Sequence, residues 1–548
     1  MRLKNILIAG MASMMSVTSC HSVLDVEPTQ SQTAETYFSS SKEAQQALFG
    51  VYEKLRSDYK NTVPNSNPIL EAALGDDAHI GGSPDGNDML SLQRISNFEA
   101  FTNSATALAE WSKCYGAIQR ANTLLANYDQ INFVAKDGDL EKTILGEATF
   151  LRAHFYFELV RYFENIPLIL DPLEGDSWTS ITQADPKDVY AQISKDILTG
   201  IAFMTDEVEP EFEGQLTKYA AMAELVKVYM FYTGYYNQES LPVVGSNPIT
   251  KDAIIDYAEQ VINSGNYALE ENYADLFNEN GNFSKEAIFE ITFVNTGSGH
   301  WGDWSFGSIF CQMAGPREHS SARFAPGWGI FSPTRELEAQ FEEGDTRKAA
   351  TIVYAKELID LTGKTYELNY QFTSMHANKY TTHFWNKASS ETPLNWGQNY
   401  HYLRLADVYL LAAELYVDSN NGKATEYVNI VRQRAGLDPL TSVSLEDIYQ
   451  ERRVELAFEG HRYFDVLRRG LSVAETELTT ENYQLVPPTD TDDIYISKEG
   501  YNFTGDVSPN GDPSIFEVTF DPSKKGFLPI PQYELDLHSE LKQNSGYN

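Results

Sequence analysis

Apolar positions recur at three- and four-residue steps through much of this chain. Ile144, Ala148, Leu151, Phe155, Leu159 and Tyr162 form one such stripe, which predicts an amphipathic helix that ends before Pro167. Further stripes come in pairs. Ala221, Leu225, Val228 and Tyr232 share a face within Thr217–Tyr236, and Ala253, Tyr257, Val261 and Ser264 share one within Lys251–Ser264. A third pair, Tyr402–Val417 and Lys423–Arg434, is joined by the turn-forming run Asp418-Ser-Asn-Asn-Gly422. Each pair reads as an αα-hairpin with small residues where the helices approach. Repeated hairpins of this kind predict a mostly α protein on an irregular tetratricopeptide-like scaffold.

The pattern breaks between about residues 271 and 396. Ala287–Val294 alternates, with Phe289, Ile291 and Phe293 on one face and Glu290 and Thr292 on the other, as a half-buried strand does. Asn295–Pro333 is dense in Gly, Ser, Pro and aromatics and predicts no regular structure. A loop so long in a compact protein is usually functional. A second loop-rich stretch, 58–106, contains Gly75–Asp88, and 479–523 is turn-rich and acidic.

The N-terminus changes the picture most. Arg2 and Lys4 precede an uncharged apolar run, Ile6–Val17, and small residues then lead to Cys20. This is the layout of a secretory signal peptide, and the run is well short of the roughly 20 residues a helix needs to cross a bilayer. Val17-Thr-Ser-Cys20 resembles a bacterial lipobox, which implies cleavage before Cys20 and its acylation. The expected organisation is a signal peptide at 1–19, a lipidated tether at 20–35 and one body at 36–548. Lysine and arginine number 41 against 78 acidic residues, a net charge of −37. Loss of residues 1–19 removes two positive charges and no negative one, so the mature chain is more acidic still. Such a surface repels phosphate backbones and excludes nucleic acid as a partner. With only Cys114 and Cys311 left after Cys20, a disulfide framework is excluded, and a single bridge between these two is the one pairing left open.

Most enzyme signatures are missing: there is no phosphate loop, zinc helix, nucleophile elbow or C-x-x-C. Gly297-Ser-Gly-His-Trp-Gly302 matches the dinucleotide fingerprint by letter, but turn formers follow where a helix must start. Asp76-Asp77 are adjacent, an arrangement that rarely aims two carboxyls across a sugar; hydrogen bonding to ligand hydroxyls is the more natural use. Asp85-Gly-Asn-Asp88 offers oxygens for a structural Ca²⁺ but lacks the closing Glu of a calcium loop. No other cofactor is expected. The richest cluster is Trp301, Trp304, Phe306 and Trp328, with His300, Asp303 and Arg317 nearby; it holds three of the seven Trp. Flat rings stack on the C–H faces of sugars while polar groups bind hydroxyls, although any one of these rings can equally be core. For Trp111 a core position is expected.

Several stretches together resemble the SusD/RagB family of Bacteroidetes outer-membrane lipoproteins. They are Gly146-Glu-Ala-Thr-Phe-Leu-Arg-Ala153 with Asn165-Ile-Pro-Leu168; Tyr402–Glu414 with Val431-Arg-Gln-Arg-Ala-Gly436; Glu451–Arg468; and Leu528-Pro-Ile-Pro531 with Gln543–Tyr547. Within Glu451–Arg468, Glu451 and Glu455 beside Arg452 and Arg453 read as ion pairs across helix faces. The resemblance implies a SusD-like scaffold with a loop-rich ligand-binding lobe and no catalytic activity. It also implies a glycan-capturing protein on the outer face of the outer membrane, paired with a TonB-dependent transporter (a SusC-like barrel) and held to the membrane by its lipid alone. Asp25 and Glu27 are similar to the acidic export signal of such lipoproteins. In the starch-binding relative the ligand contacts come from an early loop and from a loop around a Gly-Trp pair. Here these correspond to Gly75–Asp88 and Phe306–Trp328, with Gly327-Trp328 as the pair. The early loop has no Trp, leaving Asp77 and His79 to serve. The alternatives left open are a peptide-binding importer component and a surface glycoside hydrolase.

Overall fold

The computed structural model describes residues 37–56, 67–83, 86–134, 138–208, 212–296, 306–317, 319–355, 357–358, 366–367, 371, 373, 375–387, 395–484, 495–496 and 514–547. Cys20, the lipobox, Trp301, Trp304 and the 297–302 glycine motif lie outside them. The helices that build the body are α1 Ser41–Tyr52, α2 Ala105–Ala126, α3 Leu140–Phe163, α4 Pro186–Phe203, α5 Lys218–Tyr235, α6 Lys251–Ile262, α7 Leu405–Tyr416, α8 Asn421–Arg434 and α9 Leu445–Leu456. Their starts follow local chemistry. Ser104, Asp185, Thr250 and Asn420 each accept a hydrogen bond from a backbone N–H of the first turn, and Pro186 opens α4 where its missing N–H costs nothing. From α2 onward each helix packs on the next in chain order through α8, as repeated hairpins do. The lobe of residues 271–396 is inserted between α6 and α7, yet these two helices pack directly. The fold class expected from the pattern is therefore the one observed.

Helix α3 departs from the expected single stripe: it is buried on every side from Glu147 to Phe163. Its polar side chains face neighbouring helices rather than water. Arg152 grips Asp196 of α4 with two hydrogen bonds of 2.8 and 2.9 Å and reaches Asn122 of α2 at 3.0 Å. His154 meets Glu224 of α5 at 2.8 Å. Glu158 accepts from Arg161 and, at 2.9 Å, from the Tyr402 hydroxyl. Gly146 lets α3 and α4 touch: a Cβ there would lie 2.9 Å from the Met204 backbone nitrogen.

The lobe is fixed to this body by β-pairing and buried charge. Two strands of the early and late loops, β1 Ala78–Ile80 and β3 Phe331–Pro333, pair antiparallel; so do β2 Ala287–Ile291 and β4 Tyr400–Arg404. Tyr402–Arg404 is thus strand, not the first turn of α7. Strand β2 also differs from the expected alternation. Its pairing carries register irregularities, and Glu290 is buried, accepting a 3.2 Å hydrogen bond from Asn399. Within Asn295–Pro333, expected to be irregular throughout, the short helix Ile309–Ala314 forms alongside β3.

At the end of β4, the fully buried Arg404 binds Glu286 (2.6 Å), Glu455 (2.7 Å) and Glu459 (2.6 Å). Arg347 of the lobe adds Glu451 at 2.5 Å and Glu455 at 3.1 Å, and Lys379 adds Glu459 at 2.7 Å. Burial opposes charge on Glu455, but Arg434, Arg404 and Arg347 together hold its carboxyl well below the usual range. The ion pairs expected along α9 are therefore not local: Glu451 and Glu455 reach arginines far away in sequence. Arg452 turns to Asp407 and Asp465, and Arg453 to Asp76 and Asp77.

Candidate functional site

The two loops singled out in the sequence are one structure. Register in the β1–β3 pair sets Ala78 against Pro333, His79 against Ser332 and Ile80 against Phe331. The pairing extends at both ends, from Gly81 N–H to Ile330 O (2.6 Å) and from Thr334 N–H to Asp77 O (2.9 Å). Upstream of β3, residues 327–330 lie along the 312–316 segment. The N–H groups of Gly327, Trp328, Gly329 and Ile330 donate to the carbonyls of Pro316, Gln312, Gly315 and Met313 at 2.8 to 2.9 Å. So close an approach needs glycine at 327, where a Cβ would fall 2.3 Å from the Gly315 backbone.

Trp328 sits on this rail. Its ring is half-buried and packs on the core, its N–H is held by Gln312, and its carbonyl accepts from Arg317 Nη1 at 3.2 Å. Arg317 also pairs with Asp88 of the early loop at 3.2 Å, and Asp88 Oδ2 accepts from Ser83 N–H at 2.7 Å. Arg317 Nε is buried and meets no hydrogen-bond acceptor among the described residues. Arg317 therefore bridges the two loops and supports Trp328. Asp88 is engaged by Arg317 and the Ser83 N–H, and its companion Asp85 lies outside the described residues. Phe306 is well exposed and lies at the border with the helical body, its ring 5.9 Å from the Arg56 guanidinium. Arg56 lines a cleft of about 410 Å³ between α1, α3 and residues 212–215, while a second hollow of about 400 Å³ lies near Trp111 and His538. Trp111 itself is core, as expected.

Asp77 and His79 are corrections. Both side chains point inward, at 5 and 7 % exposure. Arg453 Nε donates to Asp77 at 3.0 Å, and Asp76 is held by Arg462 (2.7 Å) and Arg453 (2.9 Å). Burial opposes charge on both carboxyls; the two arginines prevail at Asp76, while at Asp77 burial and the neighbouring Asp76 push the pKa up. A pair so enclosed serves neither as an acid–base couple nor as a contact for ligand hydroxyls. It anchors the early loop to α9. Burial takes the His79 imidazole down to about 4 from its ordinary 6.5. Between those two pH values the unfolded chain binds the extra proton, so His79 makes stability fall as pH falls from 6.5 toward 4. His79→Asn is expected to flatten the drop in thermal midpoint across this window; an unchanged slope would contradict the assignment.

Sequence reading passed over Trp385 and Phe384. They lie in the aromatic and polar run Thr382-His-Phe-Trp-Asn386, which forms a tight turn in the same loop cluster; Phe384 is exposed and Trp385 partly so. The turn is tied to the late loop, where Thr382 and Ala325 exchange hydrogen bonds of 2.9 and 2.6 Å.

The architecture is a helical-repeat body that carries an aromatic-bearing loop lobe. The chain belongs to the SusD family. The family model described as SusD family matches residues 285–547, and a second, described as starch-binding associating with outer membrane, matches 23–230. A SusD-like protein of Formosa agariphila is 26 % identical over 86 % of this chain and 90 % of its own length. Among solved structures, a laminarin-binding SusD-like protein superposes with a TM-score of 0.75 at 28 % identity, covering 93 % of this chain and all of that one. Surface glycan-binding protein A from Bacteroides thetaiotaomicron, in complex with laminarihexaose, gives 0.74 at 23 % identity over 92 % of this chain and 100 % of that one; it shares the fold.

Proposed function

We propose that this protein captures a neutral oligo- or polysaccharide at the cell surface and delivers it to a TonB-dependent transporter, without chemical change to the glycan. The carrying observation is the placement of Trp328: a half-buried ring on a backbone rail hydrogen-bonded along its length, braced by Arg317 where the early and late loops join. A ring carried on a backbone already held in place loses little entropy on stacking, and its partial exposure leaves indole surface for a ligand. Arg317 and Phe306 complete the proposed contact set, together with Trp301 and Trp304 from the neighbouring segment. Cys20 supplies the lipid anchor, the outer face of the outer membrane is the location, and the likeness to a laminarin binder makes laminarin the first ligand to try. In this reading no metal takes part, so a chelator leaves binding unchanged.

Calorimetric titration with laminarin and other neutral glycans, alongside cationic peptides, tests the proposal. A reducing-sugar assay on the same glycans is expected to stay flat; steady release would establish a hydrolase instead. Asp76→Ala strips a buried anion from Arg453 and Arg462. It is expected to lower the unfolding free energy by about 3–5 kcal/mol, while Asp77→Asn leaves the glycan dissociation constant unchanged.

A further inference from the structure

Four side chains in the lobe stand in a column, with Arg323 exposed at one end, Phe324 and His383 buried in the middle and Trp385 partly exposed at the other. The Arg323 guanidinium lies 4.7 Å over the ring of Phe324. Phe324, fully buried, stacks on His383 at 5.0 Å between centroids and 29° between planes. His383, 8 % exposed, stacks on Trp385 at 6.3 Å and 20°. These separations fall in the range of offset-stacked aromatic pairs.

The column is locked from several directions. Phe324 and His383 form a β-bridge, Phe384 N–H donates to the Arg323 carbonyl at 3.2 Å, and Arg323 Nη2 donates to Asn378 Oδ1 at 2.9 Å. Below the turn, the buried Asn386 amide donates to Gln398 Oε1 at 3.1 Å. Trp385 thus has one side against a fixed imidazole while its ring remains partly exposed. Its neighbour Phe384 is 43 % exposed, so an apolar edge continues beside the indole. Burial keeps His383 neutral at ordinary pH, its pKa taken down to about 4, so no charge interrupts the stack.

We propose that Trp385 is a second stacking surface for the glycan, separate from Trp328 and engaged by longer oligosaccharides. The proposal rests on the glycan-capture reading. The 324–328 segment, whose four residue steps span at most about 14 Å between Cα atoms, leads from Trp328 to Phe324, and Trp385 lies two ring steps of 5.0 and 6.3 Å beyond it. Trp328 rides on one end of that segment and the column begins at the other. A ligand long enough to follow the segment touches both rings; a shorter one is held by Trp328 alone.

The test is a calorimetric series of laminarin-derived oligosaccharides of increasing length, up to laminarihexaose and intact laminarin, on the full protein and three variants. Trp385→Ala is expected to weaken the longer ligands about tenfold and leave the shortest unchanged. Trp385→Phe is expected to recover most of the loss, and it decides the matter if the alanine variant does not fold. Trp328→Ala is expected to weaken ligands of every length. If Trp385→Ala and Trp385→Phe both match the unsubstituted protein at all lengths while Trp328→Ala does not, the second surface is wrong and glycan capture stands. If Trp385→Ala weakens short and long ligands equally and lowers the thermal midpoint, the indole is core and the proposal is overturned. If the unsubstituted protein binds neither these nor other neutral glycans, the capture reading itself fails.

Discussion

Arg404→Ala is expected to destabilise this protein by about 3–5 kcal/mol, the cost of breaking a buried ion pair by removing one partner. The side chain is wholly buried and answers three carboxylates, Glu286, Glu455 and Glu459. Its removal leaves those charges crowded in a place that water does not reach, with Arg347, Arg434 and Lys379 as partial compensation. Since domains are stable by only about 5–15 kcal/mol, one such change takes a large share. The effect should extend to function, because the network ties the lobe, through Glu286, Arg347 and Lys379, to α9 and the body. Thermal unfolding followed by circular dichroism measures it, with Arg120→Ala as the comparison. Arg120 pairs with Glu53 at the surface, 37 and 55 % exposed, and such pairs contribute about 0–1 kcal/mol. Equal shifts in the two variants would mean that the buried network does not hold the lobe.

Trp328→Ala carries the second large expectation. Aromatic anchors at binding sites commonly lose about 2 kcal/mol or more on truncation, which corresponds to roughly thirtyfold in dissociation constant. The backbone of residue 328 keeps its hydrogen bonds to Gln312 and Arg317 in the variant, and Gly327 still fits against Gly315. The rail therefore survives, and the thermal midpoint should move by far less than it does for Arg404→Ala. A large loss of stability with unchanged affinity would reassign the ring to the core.

Local pattern made the helical hairpins legible because their caps and apolar steps are contiguous in sequence. It misjudged α3, where Glu147, Arg152, His154, Glu158 and Arg161 look like a solvent face. They instead meet partners inside, among them Asp196, Glu224 and Tyr402. The strand character of Tyr402–Arg404 comes from pairing with Ala287–Ile291, more than a hundred residues away, which no window of periodicity contains. The same holds for Glu451 and Glu455, whose nearest basic neighbours in sequence are not their partners. At the site, Trp328 and Arg317 were visible through their glycine-rich context. Asp77 and His79 looked available because an acidic glycine-rich loop suggests exposure, yet Arg453 and the β1–β3 pairing draw them inward. Trp385 was missed because its importance comes from a stack on Phe324 and His383, two residues that lie far apart in sequence.

Trp328 and its loops are the proposed binding site for a neutral glycan. Calorimetric titration of laminarin and a panel of other neutral polysaccharides into the protein and into Trp328→Ala tests it most directly. Saturable binding of at least one neutral glycan, weakened roughly thirtyfold in the variant at an unchanged thermal midpoint, is the expected result. Binding of cationic peptides with no response to any neutral glycan, or glycan binding that ignores the loss of Trp328, would contradict it.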